Sequence, residues 1–339
     1  MNRLSKTCII VCILLFFGSV LQAQQLKKLA QTSMKWLSIP VGARPMAMGN
    51  AYFSMGGSAS DIFWNPAGTG FVSSFQVFIS HVPWIADINQ EAVALAVPLK
   101  RIGVISASVR YIDFGTQQGT RLASNAQGWE YTEEFSPSSY QIGLGFSQQI
   151  TDRFSYGLHL SYVKENLGTV VYAPVLGGDF ENPVEKSTSL GLFKMDFGVL
   201  YYAGFHDLRL GMTLRNFSEE QGYGNVGNPI PMDLRFGMAM NVLAFFFDEG
   251  FQHKAILACD LSHPRDYSER LHFGLEYIFA DFIALRTGYK TNYNEENFSF
   301  GAGLLPKFGI GSVKVAFDYA LVPFGVFDSV QVFSFSINF

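Results

Sequence analysis

The chain has 339 residues, of which only 15% are charged and 15% aromatic, with 33 Phe and 33 Gly. Soluble domains carry roughly 25% charged residues, so much of this surface is made to face something other than water. The mean hydropathy of +0.17 is too low for a bundle of membrane helices, and a net charge of −4 with no basic tract argues against nucleic acid as a partner.

The first expected element is an export leader. Arg3 and Lys6 precede an apolar or small run from Cys8 to Leu21, and Ser19-Val20-Leu21-Gln22-Ala23 ends on a small residue. This pattern predicts a secretory signal peptide over residues 1–23, cleaved after Ala23. The run is too short for a membrane helix of about 20 residues. Val11 stands where a lipoprotein signal needs a small residue, so Cys12 is not read as a lipidation site. Processing would leave 22 basic and 28 acidic residues, a net charge of −6, and one cysteine, Cys259. A lone cysteine permits neither an intrachain disulfide nor a cysteine-rich metal site.

Residues 24–70 alternate poorly, and Pro40, Pro45 and Pro66 interrupt any long element. They are expected to form a compact plug of short helices and turns. Within it, Asn65-Pro66-Ala67-Gly68 is a turn signal: Asn bonds nearby backbone, Pro fixes φ, and Gly permits unusual backbone angles. Such a turn can pin the plug to a wall, or it can touch a ligand. Arg44 is the best single charge in this segment. It can pair with an inward carboxylate or with an acidic ligand group, and pairing is favoured because an enclosed arginine needs a partner.

From residue 71 to 339 the pattern has period two. It predicts about fourteen strands of membrane-spanning length. These are Ser74–His81, Gln90–Pro98, Ile102–Ile112, Tyr140–Ile150, Arg153–Glu165, Leu190–Ala203 and Asp207–Asn216. The rest are Met232–Phe245, Gln252–Leu261, Leu271–Phe279, Phe282–Lys290, Phe298–Leu305, Gly311–Ala320 and Val330–Phe339. Tyr140, Ile142, Leu144 and Phe146 share one face, and Gln141, Gly143, Gly145 and Ser147 the other. The last strand alternates up to Phe339. Tight connections (Pro98–Arg101, Thr151-Asp152, Gly204–His206, Ala280-Asp281) alternate with long ones (Asp113–Ser139, Gly168–Ser189, Phe217–Pro231). The expected fold class is therefore all-β: a transmembrane antiparallel barrel of about fourteen strands with an N-terminal plug, in the bacterial outer membrane. Closure satisfies every backbone group, which an open sheet in lipid cannot do. A soluble sandwich is the alternative, and it accounts poorly for the leader and the low charge. Interfacial girdles are expected from Trp84, Tyr111, Tyr162, Tyr277 and Tyr289, in contact with lipid and lipopolysaccharide.

The same register predicts a charged lumen. Its cations are Arg110, Lys194, Arg209, Arg215, Arg235, Arg286, Lys290 and Lys314; its anions are Asp196, Asp233, Asp260, Glu276 and Asp318. Such a set suits ion pairs bracing wall to plug, although a wide pore can carry the same charges. The slight positive excess would attract carboxylates or phosphates. The six histidines show no metal-ligand spacing, and Gly301-Ala302-Gly303 lies in a strand and not before a helix. No cofactor and no catalytic site are expected, although a barrel can bring a distant Ser, His and acid together. The long loops are acidic (Glu130, Glu133, Glu134, Asp179, Glu181, Glu185, Glu219, Glu220, Glu295, Glu296) and large enough to offer an interface.

Gly42-Ala43-Arg44-Pro45-Met46-Ala47-Met48-Gly49-Asn50-Ala51, followed by Trp64-Asn65-Pro66-Ala67-Gly68, resembles the N-terminal signature of the PorV/PorQ family, within the wider FadL-like superfamily. The resemblance covers the plug by motif and the barrel by architecture. It implies a non-enzymatic fourteen-stranded barrel with a hatch. A PorV-like role would be accessory to type IX secretion, binding cargo or attachment-complex proteins. A FadL-like role would be uptake of long-chain fatty acids or other hydrophobic small molecules. In either case Gly42, Ala43, Arg44, Gly49, Asn65, Pro66, Ala67 and Gly68 are the motif positions.

Overall fold

The computed structural model describes residues 31–339 except 124, 173–183, 223–226, 248–251, 306–308 and 311–312. The expected leader and the first residues of the expected plug lie outside the described residues, as do Asp179 and Glu181 of the acidic loops. Fourteen antiparallel strands close into a barrel. They are β1 (Gln76–Pro83), β2 (Asn89–Leu99), β3 (Gly103–Asp113), β4 (Ser138–Thr151), β5 (Phe154–Tyr172), β6 (Val184–Tyr202) and β7 (Arg209–Phe217). The circuit continues with β8 (Asp233–Asn241), β9 (His253–Pro264), β10 (Arg270–Phe279), β11 (Ile283–Lys290), β12 (Phe298–Leu304), β13 (Val313–Phe324) and β14 (Phe327–Asn338). Each strand pairs with its sequence neighbours, and β14 completes the circuit against β1, with Gln76 opposite Asn338. The Phe339 N–H donates to the Phe75 carbonyl at 3.0 Å. That end of the barrel, where the two chain segments meet, is the closing end; the long connections lie at the other, the loop end.

Period two sets the faces. On β2, Val93 and Val97 are exposed outward, while Ala92, Ala94 and Ala96 are buried inward. On β4, Ile142 and Leu144 are exposed, and Gln141 and Ser147 are buried. The outer surface is thus an apolar band, as a lipid-facing wall requires. The inner face is small and polar because the lumen is filled. Trp36, Leu37, Met48, Tyr52, Phe53, Ile62 and Trp64, all from the N-terminal segment, are buried inside the wall.

Four expectations are corrected. The predicted strand Met232–Phe245 stops at Asn241, whose side chain accepts from the Leu243 N–H at 3.3 Å and caps a one-turn helix, Val242–Phe245. The described parts of the expected loop Gly168–Ser189 continue the ladder, with Thr169 opposite Ser187 and Tyr172 opposite Val184. The loop after β3 carries its own antiparallel ladder, Gln117–Leu122 against Trp129–Phe135, outside the barrel sheet. Trp84, expected in the lipid girdle, instead turns inward and packs edge-on against Phe324 at 4.9 Å between ring centroids. Tyr111, Tyr277 and Tyr289 are exposed outward as expected.

The plug consists of single turns because its sequence starts and stops each one. Helix α1 (Ala43–Ala47) follows Gly42 (φ 95°) and holds Pro45 in its first turn, where the missing N–H has no intrahelical role. The turn Ala59–Phe63 opens on a capping box: Ser60 N–H donates to Ser58 Oγ at 3.2 Å, and Ser58 N–H to Asp61 Oδ2 at 2.8 Å. The turn Pro66–Phe71 opens on Asn65, whose Oδ1 accepts from the Ala67 N–H at 3.1 Å, with Pro66 in the first position that proline favours.

Candidate functional site

The plug is seated mainly through its backbone. Asp260 Oδ2 accepts from the N–H groups of Tyr52 and Phe53 at 2.7 and 3.0 Å. Ser299 Oγ accepts from the Gly49 N–H at 2.9 Å and donates to the Ala47 carbonyl at 3.0 Å. His272 Nδ1 donates to the Gly49 carbonyl at 2.8 Å, and Ser334 Oγ accepts from the Ala43 N–H at 2.8 Å. Arg110 Nη2 donates to the carbonyls of Trp36 and Ile39, both at 2.7 Å. Asn65 Nδ2 donates to Phe53 O within the plug at 2.8 Å and to Val199 O of the wall at 3.1 Å. Asn65 of the Asn-Pro-Ala-Gly box thus bonds plug and wall at once.

One ion-pair chain crosses from plug to wall. Arg44 donates to both oxygens of Glu276, Nε to Oε1 at 2.9 Å and Nη2 to Oε2 at 2.7 Å. Arg286 Nε donates to the same Oε1 at 2.6 Å, and its Nη1 to Asp318 at 2.7 Å. The chain joins α1 to β10, β11 and β13. Glu276 and Arg286 are fully buried.

The wall carries glycine where the plug touches it. A β-carbon on Gly198 would lie 1.9 Å from Asn65 Oδ1, and one on Gly288 would lie 1.9 Å from the Gly49 nitrogen. Gly288→Val is expected to lift α1 from the wall. Limited proteolysis should then cut the plug at protease concentrations that leave the native plug intact, and equal protection would contradict the close seat.

The expectation that the lumen charges brace wall to plug as ion pairs holds for Arg44 with Glu276, but the other charges act differently. Lys194 and Asp196 pair within the wall at 2.6 Å, and Arg235 with Asp233 at 2.5 Å. Lys290 reaches the loop residue Glu296 at 2.5 Å. Arg110 and Asp260 serve backbone groups. Arg209 pairs with Asp207 at the closing end and donates to Met55 O at 3.3 Å. Lys314 is exposed at the mouth of the closing end, so it is not a lumen charge. Arg215 faces the lumen but has no hydrogen-bond or ion-pair partner among the described residues; Phe53 and Trp64 rings flank it at 5.8 Å. Sequence reasoning missed the reason Arg215 and Asn216 both point inward. Met195 pairs with Phe217 and Phe197 with Leu214, so β7 bulges at these two residues, with Asn216 at φ 56°.

A second missed cluster lies in the wall. His159 Nδ1 is 3.0 Å from Asp196 Oδ2, and its Nε2 is 2.9 Å from Ser108 Oγ and 3.0 Å from Ser161 Oγ. Lys194 and the Asn216 N–H complete the bonds to Asp196. All four side chains of this Ser–His–acid set are buried, and neither Ser108 nor His159 lines either of the two cavities described below. The cluster acts as a brace that satisfies a buried carboxylate.

The plug divides the lumen. A cavity of about 270 Å³ opens at the loop end, lined by Trp64, Arg215, Arg235, Tyr267, Arg270 and Tyr293 among others. One of about 130 Å³ lies toward the closing end, lined by Arg44, Tyr52, Gln76, Phe78 and Asp318 among others. Tyr52 and Trp64 meet edge to face at 5.8 Å, one facing each cavity. Trp64 is held by a bond from Nε1 to Val41 O at 2.9 Å and by Phe53 at 5.3 Å. Tyr52 lines the closing-end cavity and Trp64 the loop-end one, so their contact lies between the two. Beside them, on the plug, burial pushes the Asp61 carboxyl up to about 7, opposed by the Ser58 N–H and by Arg44. A raised carboxyl favours the folded plug when protonated, so this contribution fades as pH climbs from the usual carboxylate range through about 7.

Residues 17–147 match the model of an uncharacterised protein family, UPF0164. No curated protein matches the chain. Among solved structures, the Pseudomonas putida toluene transporter TodX is similar at a TM-score of 0.57 and 13% identity, covering 87% of this chain and 96% of that one. The Ralstonia pickettii toluene transporter TbuX gives 0.56 and 14%, over 88% and 98%. A Pseudomonas aeruginosa FadL homologue gives 0.53 and 12%, over 89% and 98%. The chain has the fold of FadL-type outer-membrane channels. At these identities the likeness shows the fold, and the PorV/PorQ resemblance of the plug motif is a finer statement than it carries.

Proposed function

We propose that this protein is an outer-membrane channel that carries a small molecule through its lumen by displacing part of the plug. The observation that supports this reading most is the pair of cavities separated by the Tyr52–Trp64 contact. A purely structural barrel has no need of two vestibules that approach each other at a ring contact. The expected leader, the apolar outer band and the fold agree with an outer-membrane site, with the loop end outward. The first solutes to test are monoaromatic hydrocarbons, which the names of the fold neighbours specify for those proteins. Proteoliposomes containing the purified chain should take up such a solute faster than empty vesicles. Uptake equal to that of empty vesicles, with the protein inserted, would refute the channel.

One observation favours a second reading. The ladder Gln117–Leu122/Trp129–Phe135 projects from the loop end with Leu122, Trp129 and Tyr131 at 62%, 38% and 68% exposure. Exposed aromatics on a projecting hairpin suit contact with another protein, as a PorV/PorQ-type accessory of type IX secretion would need. Deleting the gene should then retain secreted cargo in the periplasm, and an unchanged secretome would exclude this role.

A further inference from the structure

The carboxylates lining the loop-end cavity already have cations. Asp233 pairs with Arg235 at 2.5 Å, Asp266 with Lys35 at 2.6 Å, and Glu296 with Lys290 at 2.5 Å. Two guanidinium groups facing the same space have none. Arg215 lies against Phe53 and Trp64. Arg270 lies between Tyr267 and Tyr293, 4.3 and 4.1 Å from their ring centroids. Neither makes a hydrogen bond or ion pair to a described residue. Arg270 Nε and Arg235 Nη1 are buried without a partner.

This is an unusual way to place arginine. Asp196 and Asp233 attract Arg215 without bonding it, and a guanidinium partly removed from water with no hydrogen-bonded partner is costly. Its aromatic neighbours hold the flat face, and Arg215 and Arg270 both line the cavity. The N–H edge of a guanidinium is a planar fork matching a carboxylate or phosphate with two parallel bonds. The bulge in β7 keeps Arg215 on the lumen side together with Asn216, and bulges recur where a strand must re-aim a side chain. Arg235, bound to Asp233 through Nε, lines the same cavity, and its Nη1 is enclosed without a partner.

We propose that the loop-end cavity binds the oxyanion of a small molecule, a carboxylate or a phosphate, through Arg215, Arg235 and Arg270. The rings of Trp64, Tyr267 and Tyr293 leave room for a flat apolar body beside the charge, so an aromatic carboxylate fits both halves of the site. This rests on the channel reading: the site is where a solute from the loop side would halt above the plug. It departs from a passage lined for hydrocarbons alone.

The test is calorimetry on the detergent-purified full-length protein with benzoate, inorganic phosphate and benzyl alcohol as probes. Saturable binding of at least one anion is expected, about tenfold tighter than benzyl alcohol, and weakened about tenfold in Arg215→Met and Arg270→Met. Arg215→Lys, which keeps the charge but not the fork, should also weaken binding, and it serves if the methionine variant fails to fold. Arg121→Met, on the projecting ladder, should bind as the native protein does. No saturable binding of either anion, or benzyl alcohol binding as tightly as benzoate, would overturn the site. So would anion binding that survives both arginine replacements. Protein that passes neutral solutes but binds neither anion overturns this site and leaves the channel. Protein that binds benzoate but passes no solute upholds the site and removes the channel.

Discussion

Glu276→Ala is expected to unseat the plug and to cost about 3–5 kcal/mol, the usual penalty for removing one partner of a buried charge network. Arg44 loses both of its carboxylate bonds, and Arg286 keeps only Asp318. Arg286 is wholly enclosed, so water cannot replace the lost acceptor. Arg44 is about a quarter exposed, with its side chain at 27%, so it recovers part of its solvation by leaving the wall. The expected consequence is a loosened α1 within an intact barrel. Thermal unfolding should begin lower, and protease should cut near Ala43–Ala47 before it cuts any strand. Glu276→Gln keeps the shape and should cost less. An unchanged melting profile and an uncut plug in Glu276→Ala would show that the backbone bonds to Asp260, Ser299 and His272 hold the plug without the ion pairs.

Trp64→Ala is expected to join the two cavities. Removing the indole deletes the edge contact to Tyr52, the packing on Phe53 and the bond to Val41 O. Large-to-small changes of a buried aromatic cost about 3–5 kcal/mol, but the functional effect should exceed the structural one. Trp64 lines one cavity and its neighbour Tyr52 the other, so loss of the indole is expected to connect spaces of about 270 and 130 Å³. Small-solute flux through proteoliposomes should rise well above the native rate, whereas Tyr52→Phe, which keeps the ring, should leave the native rate. If Trp64→Ala stays as tight as the native chain, the barrier lies elsewhere in the plug.

The wall was legible in the sequence because strand pairing in lipid imposes a local rule: apolar outward, small or polar inward, every second residue. Tyr140–Ile150 or Asp207–Asn216 can be assigned without knowing any partner. The fourteen predicted strands correspond one for one to those observed, with shifted ends. Boundaries failed where a side chain bonded nearby backbone, as Asn241 does with the Leu243 N–H, or where pairing continued past the expected strand end, as it does past Asn166. The projecting ladder was missed because its two halves are held by each other and not by the barrel rule.

The site was legible only in part. Arg44 pairing with a wall carboxylate followed from the cost of an enclosed charge, and the pinning turn at Asn65 followed from turn chemistry. That Asp260 and Arg110 serve plug backbone groups could not be read, because period two gives a side chain's face but not what lies opposite. Arg215 was placed inward by alternation, yet the bulge that keeps Asn216 beside it leaves no periodic trace. Trp84 was assigned outward by its residue type alone, and packing against Phe324 decided otherwise. The six scattered histidines gave no sign of the His159–Ser108–Asp196 cluster, since its members sit on β5, β3 and β6 and meet only across the sheet.

Transport as proposed requires the lumen to be a passage that the N-terminal segment closes. The most direct test is single-channel conductance in planar bilayers, comparing the native chain with one lacking residues 31–75. Heat-modifiable migration would first confirm that both barrels are folded. A barrel of this strand number with its lumen emptied should conduct steadily, while the native chain should be closed or open only briefly. Equal conductance from the two chains would contradict the account.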